Sequence, residues 1–131
     1  MTWTEQVAVV TGGARGIGRA VSLELARQGV TVVAADLNLD GAKAVAEEAK
    51  TSGLPGKIVP KSLNVTDRTA VEAFVEEVMQ EFGKISILVN NAGITRDGLL
   101  LNMEDEQFDT VINVNLRSVF LMTRTVCRYM M

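Results

Sequence analysis

The sequence predicts an α/β fold in which helices pack on both faces of a parallel sheet. Two observations carry this. Short apolar runs alternate with longer amphipathic stretches, the pattern of buried strands between surface helices. The alternation repeats without a linker or low-complexity tract, so the strands are joined by right-handed helical crossovers. Gln6–Val10 (QVAVV) is the first strand, stopped at Thr11-Gly12-Gly13. Ile17–Gln28 reads as a helix ended by Gly29, and Thr31–Ala35 as a second buried strand closed by Asp36. Leu39–Lys50 has a helical pattern, followed by a weaker strand, Lys57–Ser62, in which Pro60 demands an edge or a bulge. Thr66 or Asp67 can cap a helix running to Phe82, where Gly83 ends it. Ile85–Val89 is the fourth strand and runs into Asn90-Asn91-Ala92-Gly93. A loop then leads to one helical region from about Glu104 to the end.

Composition sets the bounds. The 131 residues suffice for one modest core. With 13 Lys+Arg against 16 Asp+Glu and no basic stripe, there is no footprint for nucleic acid. No His is present, which removes His-based triads and His-ligated metal sites, so no metal is expected. The lone Cys127 excludes an intramolecular disulfide. No apolar run reaches the length of a membrane span. The expectation is a reduced, soluble, cytoplasmic domain.

The chemistry concentrates at the first turn. Gly12-Gly13-Ala14-Arg15-Gly16-Ile17-Gly18 lies between a buried strand and a helix. Glycines there let backbone N–H groups approach a pyrophosphate at the positive end of the helix. Asp36 closes the second strand twenty residues past Gly16, where a carboxylate can accept from both ribose hydroxyls of an adenosine. It also repels a 2′-phosphate, which favours NAD(H) over NADP(H). Arg15 argues the other way, because a basic residue in the turn can pair with that phosphate. The bland alternatives are a packing-only glycine turn, an Asp36 that caps the next helix, and a solvated Arg15.

A glycine turn with an acid at the second strand end also serves methyltransferases that bind S-adenosylmethionine. Ile87-Leu88-Val89-Asn90-Asn91-Ala92-Gly93, taken with Thr11–Gly18 and Asn113-Val114-Asn115-Leu116, disfavours that reading. Together these motifs resemble the short-chain dehydrogenase/reductase family over the whole chain. Ile94-Thr95-Arg96-Asp97 and Leu99-Leu100-Leu101 are most similar to its branch acting on 3-oxoacyl thioesters of acyl carrier protein or CoA.

The resemblance implies a Rossmann-type doubly wound parallel sheet in strand order 3-2-1-4, forming the dinucleotide-binding N-terminal portion, residues 1–131, of a larger domain. It implies that Gly12, Gly16, Ile17 and Gly18 line the pyrophosphate and that Asp36 holds the adenosine ribose. Asn64, where the family usually has Asp, and the Val65 backbone would meet the adenine. Asn90, Ala92 and Gly93 would border the nicotinamide ribose, although a structural role for Asn90-Asn91 stands beside that reading. Asn115 matches the asparagine of the family's catalytic tetrad, which holds a water linking the catalytic lysine to solvent. Ser86 replaces a common Asp. The other tetrad members, a Ser and a Tyr-x₃-Lys pair, are not among these residues, and Tyr129, with no Lys after it, is rejected as the acid.

The implied activity is NAD(P)-dependent reduction of 3-oxoacyl thioesters in fatty-acid synthesis when the catalytic portion is present. These 131 residues are expected to be inactive alone. A polyol or sugar dehydrogenase and a non-catalytic nucleotide-binding or assembly module are the alternatives. The outer edge of the fourth strand and the two-sided apolar last helix suggest homo-oligomerisation or association with another chain.

Overall fold

The computed structural model describes residues 2–131. A single 3₁₀ turn, Trp3–Glu5, precedes β1 (Val7–Thr11), α1 (Gly16–Arg27), β2 (Thr31–Asp36), α2 (Leu39–Thr51), β3 (Lys57–Ser62), α3 (Arg68–Phe82) and β4 (Ile87–Val89). A second 3₁₀ turn, Leu100–Asn102, leads to α4 (Asp105–Ile112), a π-helical turn (Asn113–Arg117) and α5 (Ser118–Met130). All strand pairs are parallel, and the order is β3-β2-β1-β4. The chain therefore has the Rossmann-like architecture that the sequence predicts.

The strand period of two splits the core into two clusters. Val9, Val33 and Leu88 pack with Val71, Phe74, Val75 and Val78 of α3 and Met122 and Val126 of α5. Ala8, Val10, Val32 and Ala34 pack on the opposite face with Ala26 of α1 and Val45 and Ala49 of α2. β1 is buried at every residue because it has a strand on each side and helices on both faces. β4 is only half-buried throughout, since no strand among the described residues pairs on its far side.

Local chemistry sets the boundaries. Asp67 caps α3 by accepting from the Ala70 N–H at 3.2 Å, and Gly83 closes it at φ 77°. Asn38, not Asp36, caps α2, accepting from the Gly41 N–H at 2.9 Å. Pro60 lies opposite Ala34 on β3, which is an edge strand, so its missing N–H leaves no interior ladder broken. Lys61 of the same strand pairs with Glu77 at 2.8 Å and Glu81 at 3.0 Å on α3.

Two expectations need correction. The fourth strand starts at Ile87 rather than Ile85: Ile85 is buried, but pairing with β1 begins at Ala8 opposite Ile87. Ser86 takes over the lead-in, its Oγ accepting from the Val7 N–H at 2.9 Å while its own N–H donates to the Val7 carbonyl at 2.9 Å. The helical region after Glu104 is also not uniform, because the π turn at Asn113–Arg117 separates α4 from α5.

Candidate functional site

The site lies at the C-terminal ends of the strands, where β1 and β4 turn towards opposite faces of the sheet. Backbone accounting shows what the glycine turn offers. The Gly12 N–H donates to the Ala35 carbonyl at 2.8 Å, and the Ala14 N–H donates to Asp36 Oδ2 at 3.1 Å. The first bond into α1 runs from the Arg19 N–H to the Arg15 carbonyl. The N–H groups of Gly16, Ile17 and Gly18 therefore have no intrahelical acceptor and form the positive end of a twelve-residue helix with no acid in its first turn.

The glycines do different jobs. Gly16 has φ 56°, and a Cβ there would meet nothing within 4 Å, so the residue keeps a left-handed turn facing open space. A Cβ on Gly18 would lie 2.0 Å from the Gly12 carbonyl oxygen and 2.4 Å from Asn91 Nδ2. Gly18 is thus a packing glycine that brings α1 down onto the loop after β4.

A cleft of about 500 Å³ collects most of the residues picked from the sequence: Gly12, Arg15, Gly16, Ile17, Asp36, Val65, Ala92 and Gly93 all line it. Asp36 is fixed from both oxygens, with Oδ1 accepting from the Asn38 N–H at 2.9 Å. Ile17 and Leu37 stand exposed at 76% and 71% of their surface beside it, apolar flanks for a planar ligand.

Gly18, Asn64, Asn90 and Asn115 lie outside the lining of this cleft. Asn64 does not line the cleft; its Oδ1 accepts from the Thr66 N–H at 3.0 Å and the Thr66 hydroxyl at 2.6 Å, so the acceptor expected for adenine serves a local turn. Asn90 Nδ2 donates to Thr123 Oγ1 at 3.1 Å and ties the end of β4 to α5. Gly18 packs rather than lines, as above.

Asn115 sits in the π turn, where its amide grips one residue of the loop after β4. Oδ1 accepts from the Ile94 N–H and Nδ2 donates to the Ile94 carbonyl, both at 2.8 Å. The extra residue of a π turn re-aims side chains out of helical register, a device common at functional sites. Ser118 Oγ, at the start of α5, donates back to the Val114 carbonyl of this turn.

Thr11 and Asn91 complete the scaffold. The Thr11 hydroxyl accepts from the Asn91 and Ala92 N–H groups, each at 3.0 Å, and lies 3.4 Å from the Val89 carbonyl to which it donates. Asn91 Nδ2 donates to the Gly12 carbonyl at 3.1 Å. The signal for Thr11 is a polar residue closing an otherwise apolar central strand, which has no reason to be there unless it is paired.

This geometry defines a dinucleotide-fold site at a strand switch point. The chain belongs to the short-chain dehydrogenase/reductase family: the family model described as short chain dehydrogenase matches residues 6–131. It is 50% identical over 125 residues to 3-oxoacyl-[acyl-carrier-protein] reductase FabG of Thermotoga maritima, covering 95% of this chain and 50% of that protein. It is 44% identical over 131 residues to the Escherichia coli protein of the same name, covering 100% and 52%. A crystal structure of a short-chain type dehydrogenase/reductase from Mycobacterium marinum superimposes with a TM-score of 0.92 at 32% identity, over 98% of this chain and 50% of that one. The chain spans about half the length of the curated relatives it matches.

Proposed function

We propose that this chain holds the nicotinamide dinucleotide of an NAD(P)-dependent oxidoreductase that reduces 3-oxoacyl thioesters to 3-hydroxyacyl thioesters. The observation that carries the cofactor reading is that Gly16 and Ile17, with unpaired helix-start N–H groups, line the same cleft as Asp36. Those N–H groups, with Arg15, bind the pyrophosphate. Asp36 receives the adenosine ribose, with Leu63 and Val65 beside the base. The adenine contact passes to the Val65 backbone, because Asn64 Oδ1 is engaged by Thr66. Ala92 and Gly93 border the nicotinamide ribose, while Asn90 holds the strand end that places them.

The bound nicotinamide supplies a hydride, and this chain orients it and shields one flank from water. Asn115 fixes Ile94 and, with it, the loop beside the nicotinamide end. The Ser and Tyr-x₃-Lys groups that would orient and protonate the carbonyl are not among these residues, so the 131-residue polypeptide binds cofactor without turning over. The thioester reading is supported by the two 3-oxoacyl-[acyl-carrier-protein] reductases to which the chain is 50% and 44% identical. A cytoplasmic setting accords with it, and no helix of the described residues is long and apolar enough to cross a membrane.

The carboxylate at the end of β2 favours NAD(H) over NADP(H). Calorimetry with NADH, NADPH and S-adenosylmethionine tests this. NADH binds most tightly, and Asp36→Ala narrows the gap to NADPH by about tenfold. Unchanged discrimination in that variant removes the account of cofactor choice. Tight binding of S-adenosylmethionine alone overturns the oxidoreductase reading.

A further inference from the structure

The chain contains two Asp-Gly bonds, Asp40-Gly41 and Asp97-Gly98, and no Asn-Gly bond. At such a bond the glycine nitrogen can reach the preceding side-chain carbonyl freely, because no Cβ bars the approach. The fold treats the two differently. We propose that Asp97-Gly98 is a site of spontaneous backbone modification, passing through a cyclic imide to isoaspartate, while the fold protects Asp40-Gly41.

Asp40 and Gly41 lie in α2, and the Gly41 N–H donates to Asn38 Oδ1 at 2.9 Å. Gly41 is also packed: a Cβ there would lie 3.1 Å from Ala14 Cβ. Helical dihedrals and an occupied N–H hold that nitrogen away from the Asp40 carboxyl carbon. Asp97 and Gly98 are exposed, in the stretch between β4 and the second 3₁₀ turn. Among the described residues the Gly98 N–H has no backbone acceptor and the Asp97 carboxylate has no ion pair. The adjacent cation, Arg96, turns instead to the Thr95 carbonyl at 2.8 Å. A Cβ at Gly98 would meet nothing within 4 Å, and Gly98 is not among the glycines with positive φ.

The Gly98 nitrogen attacks Asp97 Cγ. A C–N bond forms, the bond from Cγ to its hydroxyl breaks, and the hydroxyl leaves as water with the amide proton. Water then opens the ring at either carbonyl. Opening at Cγ restores Asp; opening at the Asp97 main-chain carbonyl leaves the chain running through Cβ and Cγ, longer by a methylene. No oxidant, reductant or cofactor enters, and one carboxylate is present before and after. Asn115 holds Ile94 upstream with both amide atoms, so the lengthening falls on the outer part of the loop.

The test incubates the folded 131-residue chain, and the same chain unfolded in urea, in mildly acidic heavy-oxygen water. Each Asp-Gly peptide is then read by mass spectrometry with electron-transfer fragmentation, which distinguishes isoaspartate. In the folded chain heavy oxygen and isoaspartate accumulate at Asp97 at least about tenfold faster than at Asp40, and in urea the two rates come within about threefold. Gly98→Ala, for which there is room, slows the reaction at Asp97 by about tenfold and leaves the urea midpoint unchanged. Comparable rates at the two sites in the folded chain, no isoaspartate at Asp97, or an unchanged rate in Gly98→Ala each overturns the proposal. A difference that persists in urea also overturns it, since local sequence rather than the fold would then be the cause.

Discussion

At the scale of single residues, the site is held by two polar side chains, Thr11 and Asn115, that do their work on backbone. The Thr11 hydroxyl satisfies two N–H groups of the loop after β4. Thr11→Val keeps the shape and removes the acceptor, leaving both donors in a partly buried place. It lowers unfolding free energy by about 2–4 kcal/mol, measured by urea denaturation. Asn115→Ala releases Ile94 and costs about 1–2 kcal/mol in the same measurement, with weaker NADH binding; Asn115→Asp retains the acceptor and loses the smaller share. The two site glycines separate in their own test. Gly18→Ala drives a methyl into the Gly12 carbonyl and costs about 3 kcal/mol or more of stability. Gly16→Ala has room, so it costs about 1–2 kcal/mol for its positive φ and shows mainly as lost cofactor affinity.

At the scale of elements, the edge strand β3 is guarded by chemistry rather than by a neighbour. Pro60 removes a donor, and Lys61, only 16% exposed at its side chain, is drawn onto α3 by Glu77 and Glu81. The hydrogen bond to Glu77 raises the Lys61 pKa above its ordinary 10.5, aided by Glu81 and opposed by burial. A raised lysine pKa means that the folded state holds the proton more tightly than the unfolded chain. The stabilisation is fully present below pH 10.5 and is lost as pH rises through the folded value. Lys61→Met therefore costs about 1 kcal/mol at neutral pH, and its difference from the parent shrinks in strongly alkaline denaturation curves. The π turn is the other element-scale device, and no periodicity argument could have found it. Phe108, Val111, Ile112, Asn115, Val119 and Met122 stand near helical spacing, and one inserted residue leaves that pattern readable as a single helix.

At the scale of the whole molecule, one face lacks cover. β4 is open along its far side, and Phe108, Leu116 and Phe120 are exposed at 57%, 63% and 53% on the face of α4, the π turn and α5 turned from the core. We expect the 131-residue chain to self-associate through this surface in a way that salt does not weaken, because apolar burial is insensitive to screening. Sedimentation velocity across a concentration series checks this, and Phe120→Lys shifts the chain towards monomer.

The sequence by itself determined the alternation of strands and helices and the places of the glycine turn and of Asp36 at the strand ends, whereas the order 3-2-1-4 was implied only by the family resemblance. The alternation and its boundaries are written in local chemistry: apolar period, caps such as Asp67, and positive-φ glycines such as Gly83. Even the departure at Ser86, mute in the sequence, is local once seen, a hydroxyl closing the lead-in to β4. Only the tertiary structure decided which polar groups are still available to a ligand. Asn64 and Asn115 look alike as acceptors in sequence, yet one is spent on Thr66 two residues away and the other on Ile94 twenty-one residues away. Likewise Gly16 and Gly18 are two positions apart in one motif, but one faces open cleft and the other a carbonyl 2.0 Å from where its Cβ would be. Hydrogen-bond commitment and free space depend on what the fold brings from distant chain, and no spacing within the motif encodes either.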